Sequence, residues 1–417
     1  MTNNKSTLAG KMTQYRWVIC AMLFFATTVN YLDRQVLSLT WDEFIKPEFH
    51  WNEYHYGLIT SIFSIVYAVC MLFAGRFIDW MGTKKGYLWA IGVWSMGACM
   101  HALCGIATEA WVGLPDAAAL FAPLTIPLLA KAWGWEMAFI VIGALGFVWM
   151  GFWVFMYKKP SDHPKVNAAE LEYIEQDQHE VVDGETVGKE QEGEKISFWR
   201  TLSFKQTWAF AFGKFMTDGV WWFFLFWTPS YLNSQFGIKM SEGLGVALIF
   251  TLYAITMLSI YGGKLPTIII NKTGLNPYAA RMRAMLIFAF IPLLVLLAQP
   301  MGTISPWFPI ILIGLGGAAH QSWSANIFST IGDMFPKSAI ATVTGIGGMA
   351  GGVGSMILQW FAGWLFVYAD ETAMQFMGFE GKPAGYFVVF CICAVAYLIG
   401  WIVMKTLVPK YKPIVLD

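Results

Sequence analysis

Residues 385–404 read GYFVVFCICAVAYLIGWIVM and contain no charged side chain. About 20 predominantly apolar residues in a helix span the hydrocarbon core of a bilayer, which is about 30 Å thick. Further stretches of similar apolar character lie at 17–39, 56–78, 86–107, 137–157, 207–232, 243–269, 284–300, 306–334 and 339–367. The sequence therefore predicts an all-α polytopic membrane protein with ten membrane helices.

An eleventh apolar stretch, 117–130, is too short to cross a bilayer and contains Pro123 and Pro127. A short segment interrupted by prolines is typical of a re-entrant, interfacial or partial helix. We therefore expect about 10 to 11 membrane helices, of which this one is incomplete.

The composition supports the same class of protein. The chain is 57% hydrophobic and 13% charged, whereas soluble domains carry roughly 25% charged residues. A formal net charge of zero gives no basic field for nucleic acid. The sequence has no metal-ligand spacing, no phosphate-binding loop with lysine and no nucleophile elbow. We therefore expect a lipid-embedded protein that is not an enzyme and holds no metal or cofactor.

A charged segment divides the apolar stretches into two groups. Residues 158–200 hold 11 acidic and 6 basic residues and no apolar run, which predicts a solvated linker with a short surface helix near 167–178. The predicted domains are an N-terminal bundle at 1–157, this linker, and a C-terminal six-helix bundle at 201–417. Lys and Arg concentrate beside both termini and the linker, so we expect these segments to face the cytoplasm.

The first cluster of candidate site residues lies late in the first span and comprises Asn30, Tyr31, Asp33 and Arg34, of which Asn30 is a candidate substrate contact. Ionisable groups inside a span cost several kcal/mol and usually mark a substrate or ion pathway. Adjacent residues point about 100° apart on a helix, so Asp33 and Arg34 are not expected to pair face to face. Arg34 is a candidate carboxylate ligand and Asp33 a candidate proton carrier. The alternative is that both side chains reach the interface or form a structural pair.

The turn between the second and third spans reads GRFIDWMGTKK over residues 75–85. Its glycines permit a close turn, and its basic residues place it on the cytoplasmic side. The interpretation favoured here is a structural hinge or gating loop, with the residues Gly75, Asp79, Gly82, Lys84 and Lys85. The pattern Gly-x-x-x-Asp-x-x-Gly-x-(Lys/Arg)-(Lys/Arg) resembles the signature loop of the major facilitator superfamily.

The third cluster comprises Lys214, Asp218 and Trp222 in the span at 207–232. Lys214 and Asp218 are four residues apart, so they lie on one helix face and can pair or line a cavity. Lys214 can instead reach towards the cytoplasm. Trp222 is a candidate platform for a sugar ring, with packing as the alternative.

The fourth cluster lies in the span at 306–334, within an apolar context. Its polar or aromatic candidates are His320, Gln321, Trp323, Ser324 and Asn326. Such side chains face a polar cavity or another helix, where they can recognise hydroxyl groups. His320 is a candidate proton relay or a satisfied core histidine. Six glycines between 345 and 354 predict close helix packing or a bendable gate.

Together these clusters resemble the anion:cation symporter family of the superfamily, and its bacterial hexuronate transporters most. The resemblance covers nearly the whole chain. It implies proton-coupled symport of a hexuronate or related sugar-acid anion across the bacterial inner membrane. It also implies proton coupling at Asp33, substrate-carboxylate contacts at Arg34 and Tyr31, a further contact at Tyr67, and hydroxyl recognition by the third and fourth clusters.

The sequence departs from that family at one place. The family has twelve spans, and its fourth carries an Arg and a Glu that serve substrate binding and proton coupling. Here Leu114 passes directly into Pro115, and roughly 50 residues are missing relative to two six-span bundles. The N-terminal bundle is therefore expected to be incomplete. An alternative function is a transport-defective membrane protein that binds or senses a sugar acid.

Overall fold

The computed structural model describes residues 12–102, 126, 130–175, 181–182, 185–186 and 198–414. The long helices in these ranges are α1 (Tyr15–Thr40), α2 (Glu53–Met81), α3 (Thr83–His101), α4 (Trp135–Met156), α5 (Lys205–Phe236), α6 (Gly243–Thr273), α7 (Pro277–Gly302), α8 (Trp307–Met334), α9 (Lys337–Glu371) and α10 (Lys382–Leu407). Each falls on a predicted span. The stretch 117–130 lies outside the described residues, except for Ile126 and Ala130.

Two of these helices are not regular throughout. α6 consists of Gly243–Thr256, a 3-10 segment at Met257–Tyr261, and Leu265–Thr273. α7 consists of Pro277–Phe290, a 3-10 segment at Ile291–Leu297, and Ala298–Gly302. Proline cannot donate the backbone hydrogen bond of a regular helix, so Pro292 fits the tightened segment of α7.

Short elements connect the long helices. They are a π-helical turn at Trp41–Ile45, the helices Lys46–Phe49, Ala168–Glu175 and Phe198–Thr201, and a 3-10 turn at Pro160–Asp162. Two antiparallel hairpins pair β1 (Val181–Val182) with β2 (Glu185–Thr186), and β3 (Gln375–Phe376) with β4 (Phe379–Glu380). The helix at Ala168–Glu175 confirms the predicted surface helix in the linker.

Six helical segments in the described ranges are long and apolar enough to cross a membrane. They are Glu53–Ala74, Trp135–Met156, Gly243–Thr273, Pro277–Gly302, Ala339–Glu371 and Lys382–Leu407. The other four, α1, α3, α5 and α8, carry charged residues such as Asp33 and Lys214. For these four helices, and for the total number of spans, crossing of the membrane stays a prediction.

The two halves of the chain, before and after the linker, meet along α2 and α9. A Cβ atom at Gly57 would lie 2.7 Å from the Cα of Gly363, and one at Gly352 would lie 2.5 Å from the Cβ of Ala68. Small residues allow this approach of two backbones, as is common between membrane helices. The glycines of α9 therefore serve close packing, which was one of the two predicted roles.

Hydrogen bonds and an ion pair also join the halves at the distal end, defined as the end where α1 finishes and α2 begins. The Tyr56 hydroxyl donates to the carbonyl of Phe226 (2.8 Å), and the Ser38 hydroxyl donates to the same carbonyl (3.0 Å). The Glu53 carboxylate lies 2.9 Å from the Lys382 ammonium group. The distal end of the molecule is therefore closed between the halves.

The predicted gating loop is shorter than the sequence indicated. α2 continues to Met81, and Gly82 alone separates it from the first residue of α3. Gly82 has φ +73°, a conformation that glycine adopts without steric cost. Lys84 donates to the carbonyl of Val154 at 2.8 Å, so this basic residue ties α3 to the end of α4.

Candidate functional site

Arg34 lies between the two halves, inside a group of aromatic rings. Its guanidinium carbon is 4.3 Å from the ring centre of Trp222, 5.3 Å from Tyr67, 5.8 Å from Phe63 and 5.9 Å from Tyr31. We call these four rings the aromatic cage. Guanidinium groups are attracted to aromatic faces within about 6 Å. The cage therefore positions the cation of α1 against rings from α1, α2 and α5.

The cage rings also pack on one another across the boundary between the halves. The Trp222 ring lies 5.7 Å from Phe63 and 6.0 Å from Tyr67, both at steep angles. Edge-to-face pairs of this kind hold rings in defined positions. Of the predicted contacts, Arg34, Tyr31, Tyr67 and Trp222 thus come together. Phe63 joins them and was missed, because a phenylalanine in an apolar span carries no sequence signal.

Asp33 faces a different neighbour. One carboxylate oxygen accepts a hydrogen bond from the Trp94 indole of α3 at 2.8 Å. The other oxygen, Oδ1, is buried and has no hydrogen-bond partner among the described residues. The residue is only 3% exposed. A proton can therefore bind at Oδ1 without breaking the bond to Trp94.

Asn30 is half-buried one turn before Arg34 on α1. Helix periodicity places residues four apart on the same face, so Asn30 shares the Arg34 face. This position is compatible with the predicted substrate contact, which stays a prediction.

The third cluster forms an ion pair. The Lys214 ammonium group lies 2.7 Å from Oδ2 of Asp218, and both side chains are largely buried. Oδ1 of Asp218 has no hydrogen-bond partner among the described residues. A Cβ atom at Gly351 would collide with this carboxylate, so a glycine there leaves room for Asp218. Of the predicted alternatives for Lys214, the structure shows pairing on one helix face.

Most of the fourth cluster faces other helices of the second half. His320 Nδ1 is 2.7 Å from the Tyr397 hydroxyl of α10, and its ring stacks on Trp221 of α5 at 5.4 Å. The Asn326 amide donates to the carbonyl of Ser322 on its own helix at 2.8 Å and to the carbonyl of Gly262 in α6 at 3.4 Å. Trp323 is fully buried against Tyr397. These contacts favour packing for His320, Trp323 and Asn326, while Gln321 and Ser324 are half-buried.

Comparison with known proteins identifies the family. The model of the Major Facilitator Superfamily matches residues 23–115 and 116–358. The chain belongs to this superfamily. It is a multi-pass membrane transporter and not an enzyme, as the sequence predicted.

Curated relatives of this superfamily member carry sugar acids. It is 26% identical over 447 aligned positions to a hexuronate transporter of Escherichia coli (strain K12), covering 97% of the chain and 96% of the relative. It is 24% identical to a D-galactonate transporter of Escherichia coli O6:H1, covering 86% and 90%. A galacturonate transporter of Dickeya chrysanthemi is 25% identical over 61% of the chain and 83% of the relative.

Solved structures show the same fold. A bacterial homolog of the human lysosomal transporter Spinster, in an inward-facing and unoccupied conformation, aligns with a TM-score of 0.61 at 14% identity, covering 95% of this chain and 98% of that one. A D-xylose-proton symporter aligns with a TM-score of 0.57 at 12% identity, covering 96% and 98%. The transporter therefore has the superfamily fold and is related to hexuronate and other sugar-acid transporters.

Proposed function

We propose that this protein carries out proton-coupled symport of a hexuronate or related sugar-acid anion by alternating access. The observation that carries the proposal is the position of Arg34 in an aromatic cage built from both halves. Arginine binds a carboxylate bidentately, and aromatic faces pack against sugar rings. A substrate bound there contacts both halves at once, as alternating access requires.

In this mechanism Arg34 binds the substrate carboxylate, and Tyr31, Tyr67 and Asn30 contact the same end of the sugar acid. Trp222 packs against the ring. Asp33 carries the proton, which binds at Oδ1 while Trp94 holds the other oxygen. Because Asp33 and Arg34 are consecutive, protonation of Asp33 changes the electrostatic field at Arg34.

The closed distal end supports access to the central site from the opposite end of the molecule. The Glu53–Lys382 ion pair and the bonds of Tyr56 and Ser38 to Phe226 would have to break before the site opens there. We assign the distal end to the outside of the bacterial inner membrane and both termini to the cytoplasm, from the distribution of Lys and Arg. The bundles 1–157 and 201–417 then rock about the central site, with the turn at Gly82 between α2 and α3 as a hinge.

The N-terminal bundle is proposed to lack the family's fourth span. The family model matches in two pieces that meet between Pro115 and Asp116, one residue after the passage from Leu114 to Pro115. The 447 positions aligned with the hexuronate transporter also exceed the 417 residues of the chain. Sequencing the gene across Leu114 and Pro115 tests this proposal, because an intervening segment of about 50 codons would contradict it.

Uptake in reconstituted vesicles tests the function. An inward proton gradient should drive accumulation of labelled glucuronate or galacturonate, and a proton ionophore should abolish it. Empty vesicles and vesicles given labelled xylose, a neutral sugar, are the controls. Uptake no greater than in empty vesicles would contradict the proposal. Saturable binding without flux would instead support a binding or sensory protein.

A further inference from the structure

A cavity of about 340 Å³ lies away from Arg34, at the end of the molecule opposite the distal end. Its walls come from the start of α1, the start of α3, the end of α4 and the linker. Apolar and aromatic side chains dominate the wall, among them Ile19, Leu23, Tyr87 and Trp153, while the linker contributes Lys158 and Val166. The cavity is therefore suited to a hydrocarbon chain with a charged group at one end.

The linker is firmly attached where it closes this cavity. The buried Glu170 carboxylate accepts hydrogen bonds from the Thr13 hydroxyl (2.7 Å) and the backbone N–H groups of Arg16 (3.0 Å) and Tyr15 (3.1 Å). The Arg16 guanidinium lies 3.3 Å from the same carboxylate. The His163 ring stacks on Tyr15 at 4.0 Å. The linker side of the cavity is thus a fixed wall of the fold.

The charge beside the cavity is positive. Glu170 already pairs with Arg16, whereas the exposed Lys158 lines the cavity. The ammonium group of Lys165 lies 5.7 Å from the ring centre of Tyr15, another lining residue. Lys159 and Asp162 are the exposed charged residues between these two lysines. Basic residues next to a membrane helix attract the anionic lipids of the adjacent leaflet. The excess of lysine therefore favours a ligand with a negative headgroup.

The cavity also lies beside the predicted boundary between membrane and water. α4 is an apolar span that ends at Met156, and Tyr157 and Lys158 follow it directly. Aromatic and basic residues after a span mark the membrane–water interface. On the surface nearby, Phe24 of α1 is 71% exposed and Phe155 of α4 is 83% exposed, as expected for side chains that face lipid.

We propose that this cavity binds one anionic phospholipid. Part of an acyl chain packs against Ile19, Leu23, Tyr87 and Trp153, and the phosphate group lies beside Lys158. This site is separate from the aromatic cage, so the proposal does not depend on which solute the protein transports.

Native mass spectrometry of the purified full-length protein tests the proposal, with phosphatidylglycerol and phosphatidylcholine added separately at equal concentration. The wild-type protein should retain one phosphatidylglycerol at least about tenfold more tightly than phosphatidylcholine, a difference of about 1.4 kcal/mol. Lys158→Glu should abolish this preference, because it reverses the charge beside the headgroup. The matched control Lys410→Glu changes an exposed lysine of the second half and should keep the preference.

A second variant tests the apolar part of the cavity. Val166→Trp fills the cavity from the linker and should reduce retention of both lipids, whereas Val148→Trp, at an exposed position on α4, should not. Thr83→Trp replaces Val166→Trp if the latter does not fold, as judged by thermal unfolding. Equal retention of the two lipids by the wild type, or wild-type retention by whichever cavity variant folds, would overturn the proposal.

Inorganic phosphate separates a lipid site from a site for small anions. Phosphate at millimolar concentration should leave the bound phosphatidylglycerol in place, because it cannot replace the acyl-chain contacts. Displacement of the lipid by phosphate would show a small-anion site and would overturn the assignment to a lipid.

Discussion

The two buried charge clusters differ in what each charged group contacts. In α1, Asp33 accepts a hydrogen bond from Trp94 at 2.8 Å, while Arg34 lies 4.3 Å from the Trp222 ring centre on another side. In α5, Lys214 and Asp218 contact each other at 2.7 Å. The two charged residues of the first cluster thus contact different neighbours, whereas those of the second cluster pair with each other.

Helix geometry explains this difference. Consecutive residues point about 100° apart, whereas residues four positions apart lie on one face. A charge pair at i,i+1 can therefore serve two ligands, a proton and a carboxylate. A pair at i,i+4 satisfies its own charges inside the membrane, where an isolated Lys or Asp costs about 3 kcal/mol. We therefore expect the α1 cluster to perform transport and the α5 pair to support the structure.

The largest effect should follow from Arg34→Gln. The variant loses the charge that binds the substrate carboxylate, so vesicle uptake should fall about 100-fold, equivalent to about 2.7 kcal/mol. Arg34→Lys keeps the charge but not the bidentate geometry and should be intermediate. Arg283→Gln, at an exposed arginine, is the control. Loss of a buried pair between an arginine and a carboxylate is expected to cost about 2–5 kcal/mol. Uptake by Arg34→Gln within about twofold of wild type would therefore contradict a pair between Arg34 and the substrate carboxylate.

Asp33→Asn should separate accumulation from exchange. One pH unit corresponds to about 1.4 kcal/mol, so each coupled proton supports about tenfold accumulation in a gradient of that size. The variant should lose this accumulation and still exchange labelled for unlabelled substrate, because Arg34 remains. Asp162→Asn, in the exposed linker, should behave as wild type. If gradient-driven accumulation persists in Asp33→Asn, the proton binds elsewhere.

The α5 pair is tested by a double-mutant cycle. Lys214→Met or Asp218→Leu alone leaves one buried charge and should lower the free energy of unfolding by about 3 kcal/mol. The double variant should recover most of that loss in thermal unfolding, because two apolar side chains replace a neutral pair. It should also retain most of the uptake. A stable double variant that no longer transports would show that the pair contacts substrate, as the sequence also allowed.

A third ion pair, Arg16–Glu170, lies outside the membrane and should give the smallest effect. Burial would raise the pKa of Glu170, but the Thr13 hydroxyl, the N–H groups of Arg16 and Tyr15, and the Arg16 guanidinium together hold that pKa below its ordinary value of 4.5. The carboxylate therefore stabilises the folded state above pH 4.5, and this contribution is lost as the pH falls below that value.

Glu170→Gln should accordingly lower the unfolding temperature by about 2 °C at pH 7 and by less at pH 4. Glu172→Gln, at an exposed position in the same short helix, should change neither value. If the difference in unfolding temperature between wild type and Glu170→Gln grew as the pH fell, it would contradict the stabilising role of the Glu170 carboxylate.

The sequence predicted the helices well because a bilayer demands long apolar segments. It also predicted that the side chains of Asp33 and Arg34 point in different directions, because the angle between consecutive side chains depends on helix periodicity alone. The contact of Asp33 with Trp94 was not predictable, because the two residues lie on different helices and an indole in an apolar span looks like packing. The same holds for Tyr397 beside His320. Contacts between helices depend on tertiary structure, which residue spacing within one helix does not determine.

The most direct test of proton coupling measures proton movement driven by substrate alone. Vesicles with equal pH on both sides and a pH-sensitive dye inside receive external glucuronate. Proton symport through Asp33 should acidify the interior with wild-type protein and with Asp162→Asn, and should leave the internal pH unchanged with Asp33→Asn. Glucuronate entry without any change of internal pH in the wild type would contradict proton symport.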